Sequence, residues 1–286
     1  MNLNNKHIEP EPDHGDFFKK VEIPYEKSKE EVWAAISSRT EEKTQPGTIR
    51  LFALRPVLAV AAALLILIAL FSVMRFYTTS IDCPAGKHLA VTLPDGSVVE
   101  MNAGSDLKYH PFWWWASRNL SFEGEGFFRV EKGSRFSVRS AMGETSVLGT
   151  TFNIYSRGEI YKVTCFTGKV KVTSLTREEV ILGPDYTAEV DKSGNIIVRK
   201  EKQPETAISW RDNMFNFTAA PLEDVIKEVE RQYDVSISIE PGMDLYYTGF
   251  FSKDKPVEEV LNIICKPFGI TYVKTADGSY RIISNQ

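Results

Sequence analysis

The alternation of hydrophobic and polar positions divides the chain into four stretches of different character. The first, residues 1–55, is polar and contains one periodic element, SKEEVWAAISSRTEE. Ser28 stands where a helix N-cap belongs, and Glu31, at the third position beyond it, is its capping-box partner. Val32, Trp33 and Ile36 follow as a narrow apolar stripe at i, i+1 and i+4, so a short helix is predicted over about 28–40. The residues up to Gly15 are polar, carry two prolines, and read as disordered.

The second stretch is uniformly apolar. From Pro56 to Met74 the run holds no charge, and Ser72 is its only polar side chain. At about 1.5 Å per residue such a helix is roughly 28 Å long, close to the hydrocarbon thickness of a bilayer. Pro56 sits in the first turn, where its missing N–H costs least, and Phe76 and Tyr77 follow at interfacial depth. A signal peptide does not fit, because a long polar segment precedes the run and no small-residue cleavage pattern follows it. In SIDC, Asp82 stands where a lipidated Cys83 would need a small neighbour. A buried soluble helix would need an apolar partner that no other segment supplies. Residues 56–76 therefore read as a single transmembrane helix. Arg39, Lys43, Arg50 and Arg55 on one side outnumber Arg75 and Lys87 on the other, which points to residues 1–55 in the cytoplasm.

In the third stretch, over 85–199, short β-rich runs recur with turn signals between them. HLAVTLPDGSVVEMN carries an Asp-Gly turn between two such runs. Phe136 and Val138, then Tyr161, Val163 and Cys165, then Val170 and Val172 beyond the Thr167–Gly168 turn keep a period of two. An all-β domain, stacked or sandwich-like, is predicted. Cys165 falls on the apolar face of a strand and reads as a small buried hydrophobe. Trp113, Trp114 and Trp115 lie on a loop, either as a plug over the sheet edge or as a contact for another protein.

The fourth stretch, 210–286, contains a repeat. MFNFTAAPLEDVIKEVERQYDVSI and YTGFFSKDKPVEEVLNIICKPFGITY each run from a β segment through Pro-Leu/Val-Glu-Asp/Glu-Val into a helical stripe and out into another β segment. Leu222, Val225, Ile226 and Val229 share one helix face, as do Val257, Val260, Leu261 and Ile264. Pro221 and Pro256 mark the helix starts, with acidic residues in the first turns. With a closing hairpin at TYVKTADGSYRIIS, two β-α-β units make a small α/β fold with helices on one side of a sheet. Its open edges are natural places for a partner to add a strand.

Charge and composition narrow the function classes. A net charge of −4 and a pI near 5.7 leave no basic surface for nucleic acid. Cys83, Cys165 and Cys265 are widely separated along the chain, which suits neither a zinc site nor a disulfide framework. EGEGFF lacks the rest of a dinucleotide fingerprint, and no phosphate loop or nucleophile elbow occurs. No cofactor, metal or catalytic residue is expected, and the chain is not read as an enzyme.

The blocks LPDGSVVEMNAGSDLKY (Leu93–Tyr109), LSFEGEGFFRV (Leu120–Val130), VLGTTFNIYS (Val147–Ser156), TGKVKV (Thr167–Val172) and ILGPDYTAEV (Ile181–Val190) follow one another after a single span. In that order the chain resembles the FecR-type transmembrane anti-sigma factors, in the form common in Bacteroidetes. The family-motif positions are Asp95, Gly96, Ser97, Gly124, Glu125, Gly149, Thr150, Phe152, Asn153, Gly168 and Val170. Trp210 resembles the tryptophan that precedes the family's C-terminal domain, and the repeat resembles the secretin and TonB short N-terminal fold found there. Gly126 departs from the family, where alanine is common, and the inner segment has one short helix where relatives often have more.

The resemblance implies an inner-membrane relay. Its outer part would touch the periplasmic signalling domain of a TonB-dependent outer-membrane transducer, with the contact on residues 210–286. Its inner part would hold an extracytoplasmic-function sigma factor, with the contact around Val32, Trp33 and Ile36. A protease within or near the span often releases the inner piece in such proteins. The alternative is a membrane-anchored periplasmic binding or scaffolding protein for envelope glycans or assembly partners.

Overall fold

The computed structural model describes residues 26–41 and 51–284. The stretch up to Gly15, expected to be disordered, lies outside the described residues, as do Lys43 and Arg50. Helix α1 (Lys29–Glu41) begins with the expected capping box. The Ser28 N–H donates to Glu31 Oε2 at 3.1 Å, and the Glu31 N–H donates to Ser28 Oγ at 3.3 Å. Helix α2 (Leu51–Phe76) carries the apolar run, and from Pro56 to Phe76 its mean hydropathy reaches 3.0 with none of that window buried in protein. Those 21 residues reach about 31 Å as a helix, long enough to cross a bilayer. The folded part from Ile66 onward forms one compact unit.

Thirteen strands follow: β1 (Thr79–Cys83), β2 (Leu89–Thr92), β3 (Val98–Met101), β4 (Ser105–Tyr109), β5 (Arg118–Arg129), β6 (Phe136–Ser140), β7 (Gly143–Val147), β8 (Thr151–Arg157), β9 (Ile160–Thr167), β10 (Val170–Ser174), β11 (Glu179–Leu182), β12 (Tyr186–Val190) and β13 (Ile196–Lys200). They build two sheets that share β5, in the orders β1-β4-β5-β6-β7-β10-β11 and β2-β3-β5-β8-β9-β12-β13. The first part of β5 pairs with β4 and, in parallel, with β6; from Gly124 onward it pairs with β3 and β8. Gly124 makes the transfer possible. Its φ is +114°, and a Cβ there would lie 2.6 Å from Ser105 Cα, so only glycine fits where β5 leaves one sheet for the other.

The inner faces of the two sheets form one apolar core, as the period of two requires. Phe128 stacks on Phe152 with ring centroids 5.0 Å apart, and Phe122 meets Phe128 edge-on. Cys83, Cys165 and Cys265 are buried and unpaired, and Cys165 packs as the small hydrophobe expected of it. The Thr167–Gly168 turn is not a hairpin: β9 belongs to one sheet and β10 to the other, so the turn carries the chain across the sandwich. Trp114 plugs the core against Tyr109 and Phe136, whereas Trp115 is exposed.

A 3₁₀ segment, Pro204–Asp212, leads to the α/β part: β14 (Met214–Pro221), α3 (Leu222–Tyr233), β15 (Ile237–Ile239), β16 (Tyr246–Ser252), α4 (Val257–Cys265), β17 (Thr271–Lys274) and β18 (Tyr280–Ile283). Pro221 and Pro256 are the N-caps, and both apolar stripes pack into one core. The repeat is present, but its strands form two sheets rather than one. The first strands of the two units, β14 and β16, pair antiparallel. The second strands, β15 and β17, flank β18, parallel and antiparallel in turn. The closing hairpin strand thus occupies the place where the two units would otherwise have met.

Candidate functional site

Between the sandwich and the α/β part lies a buried polar joint. Asn102 donates through Nδ2 to Glu125 Oε2 at 2.8 Å, and its Oδ1 accepts from Gln232 Nε2 at 2.7 Å. Gln232 continues the chain, because its Oε1 accepts from Lys253 Nζ at 2.8 Å and its Nε2 also donates to Glu228. Residues 130 positions apart thereby share one hydrogen-bond network, with Asn102, Glu125 and Gln232 buried. Nearby, Arg211 grips Glu100 with two bonds, 2.7 and 3.1 Å, and lies 4.3 Å over the Phe127 ring. Arg129 shares the same carboxylate at 2.7 Å. Trp210, at the end of the linking segment, meets His88 edge-on at 5.2 Å.

This joint explains why β5 departs from its period of two. Leu120 and Phe122 are buried and Ser121 and Glu123 exposed, but Gly124 through Phe128 are buried throughout. Their outer face is covered by the linking segment and the α/β part. Glu125 is the consequence. Burial, reinforced by the Glu228 carboxylate, pushes its carboxyl from 4.5 to about 7, although Arg157 and the amides of Asn102 and Asn153 act in the opposite direction. Burial likewise holds His88 below its ordinary value, helped by the Lys253 ammonium. A cleft of about 590 Å³ opens beside the network, with Asn153, Tyr155, Trp210 and Lys253 in its wall.

The other motif positions serve the sandwich. Asp95 receives Arg118 through Nε at 2.7 Å and also accepts the Ser97 N–H and Oγ–H around Gly96, where φ is +84°. The Arg118–Asp95 pair closes the β2–β3 turn onto β5 and holds the Asp95 carboxyl below its usual range. Thr150 Oγ1 donates to the Lys169 carbonyl beside Gly168, tying the crossing turn to the strand end at Gly149. Phe152 and Val170 are core.

Apolar side chains stay open on α1 and on the β14–β16 sheet. On α1, Trp33 is 62% exposed and Ile36 50%, with Val32 half-buried beside them. On the β14–β16 sheet, Tyr246 and Phe250 project outward at 67% and 64% exposure while Tyr247 and Phe251 enter the core. The sequence pointed to the first face and, more loosely, to the second. It did not reveal the joint: of its residues only Glu125 and Trp210 were singled out, Asn102 and Gln232 sit unmarked inside a family block and the repeat, and Arg211 lies outside both. The one available signal was the unbroken run Gly124–Phe128, where alternation fails.

Family comparisons agree with this architecture. The FecR protein family matches residues 79–171, and the FecR C-terminal family matches residues 214–283. Two crystal structures of a candidate anti-sigma factor from Parabacteroides distasonis ATCC 8503, at 2.50 and 1.65 Å resolution, are 31% identical to this chain with a TM-score of 0.67. The alignment covers 73% of this chain and 100% of that one. None of the functionally curated proteins matches. The chain belongs to the FecR family of anti-sigma factors, which gives it a regulatory signalling role, and its helix α2 is long and apolar enough to anchor it in a membrane.

Proposed function

We propose that this protein relays a signal from a TonB-dependent outer-membrane transducer to an extracytoplasmic-function sigma factor, with α1 in the cytoplasm and the sandwich and α/β parts in the periplasm. The observation that carries the reading is α1 itself: a capped helix whose largest apolar side chains, Trp33 and Ile36, face solvent. An isolated helix of 13 residues is marginal in water and gains stability by burying that face on a partner. On the other side, Tyr246 and Phe250 beside the open β14–β16 edge offer a transducer domain both backbone pairing and aromatic anchors.

The test is capture of the sigma factor by the full-length chain, solubilised from its own host. The wild type retains a sigma factor, and Trp33→Ala lowers its affinity at least tenfold, as loss of a central aromatic anchor does. Membrane insertion is unchanged in the variant. Equal retention by both proteins overturns the assignment of the contact. Absence of any sigma factor from an intact wild-type preparation favours a periplasmic scaffolding role instead.

A further inference from the structure

The tryptophan loop has a place that the relay does not use. Helix α2 ends at Phe76 and β1 starts at Thr79, so only Tyr77 and Thr78 separate the span from the sandwich. A link that short reaches no more than about 7 Å, which holds this end of the sandwich against the bilayer surface. The register of β1 on β4 pairs Thr79 with Tyr109. The chain leaving β4 at His110 therefore runs back toward the membrane beside the chain that came out of it.

The contacts follow that geometry. His110 Nδ1 lies 3.0 Å from the Tyr77 carbonyl and 3.2 Å from Thr78 Oγ1. The 3₁₀ turn Pro111–Trp113 then lays Phe112 near Tyr77, with ring centroids 5.4 Å apart. Trp113 meets Phe71, a residue of the span, edge-on at 5.6 Å, and the Arg75 guanidinium lies 4.9 Å over the Trp113 ring. Trp114 turns inward and anchors the turn to the core. Trp115 turns outward, touches Trp113 at 5.6 Å, and is 81% exposed; Phe112 is 49% exposed.

We infer that Phe112, Trp113 and Trp115 form a lip that rests in the phospholipid headgroup region of the leaflet facing the sandwich. The occupant is lipid because the patch is continuous with the span: Trp113 packs on Phe71, within the apolar helix, and Arg75 extends from that helix toward the same ring. Tryptophan suits this layer, since its ring is mostly apolar and its N–H needs a wet acceptor. The lip and the short link together fix the tilt of the sandwich on the membrane.

The experiment uses the full-length chain in nanodiscs of plain phosphatidylcholine or of phosphatidylcholine brominated in its acyl chains near the headgroup. Bromine quenches tryptophan emission only at short range. Trp115→Phe removes about half of the quenchable emission, because Trp113 and Trp115 share the interfacial layer, whereas Trp210→Phe leaves it unchanged. Placing Phe112→Trp in the Trp115→Phe background restores it. If Trp115→Phe does not alter the quenchable emission, Trp115 is in water and the inference falls. It falls equally if Trp115 is unquenched in monomers but shielded in dimers resolved by native mass spectrometry, since the lip would then serve a second copy of the chain.

Discussion

Glu125 is a carboxyl held inside protein by two amides, Asn102 and Asn153, while Arg157, the cation that acts on it, is bonded elsewhere to backbone carbonyls. Its value of about 7 lies above the ordinary 4.5, so between those pH values the folded chain keeps a proton that the unfolded chain has lost. The stability from that protonation is complete below about pH 4.5 and is lost as pH rises through about 7. Glu125→Gln keeps the shape and removes the charge. The melting temperature of the full chain in detergent is therefore expected to fall more steeply from pH 5 to pH 8 in the wild type than in the variant. Parallel curves would mean that Glu125 is ionised throughout. Gly126 makes a sharper residue-level case. A Cβ there would lie 2.7 Å from Phe122 Cζ and 3.2 Å from Phe128, both rings fully buried. Gly126→Ala is expected to cost about 1–3 kcal/mol through overpacking, read as a lower denaturation midpoint with an unchanged slope.

At the scale of elements, the sequence was most legible where periodicity and turn chemistry agree. The stripes of α3 and α4, the proline caps and the Asp-Gly turns all follow from local rules, because each element meets its core with one face. Sheet membership was not legible. That β5 serves two sheets depends on Gly124 meeting Ser105 across a strand pair, which no local pattern encodes. The three adjacent tryptophans were legible in part: Trp114 is the expected plug, but the chain turns as it leaves the 3₁₀ segment at Trp113, so the neighbouring Trp115 is exposed. The capping box of α1 was legible and has a consequence. Ser28→Ala removes the acceptor for the Glu31 N–H and is expected to cost the helix about 1 kcal/mol. If α1 binds sigma factor as a helix, that loss appears as roughly a fivefold weaker affinity with Trp33 untouched. Unchanged binding would mean that the partner imposes the helix or does not need it.

At the scale of the whole molecule, the proposed relay requires an event on the β14–β16 edge to reach the span through the joint. The sandwich is tied to α2 through Tyr77 and Thr78, and the α/β part is tied to the sandwich by the Glu100–Arg211 pair and the Asn102–Gln232 bond. Glu100 and Arg211 are both mostly shielded, and their bond is bidentate, which makes it stronger than an exposed pair. A double-mutant cycle of Glu100→Ala and Arg211→Ala is expected to give a coupling of about 1–3 kcal/mol in the unfolding free energy. The relay adds a second expectation. Arg211 belongs to the linking segment and to neither proposed contact face, so Arg211→Ala is expected to leave transducer binding and sigma-factor capture in place. It nevertheless lowers the transcriptional response to the inducing signal, because the α/β part can then shift without moving the sandwich. A variant that loses the coupling energy yet keeps a full response would place the signal's route outside the joint, with the transducer acting on the sandwich directly.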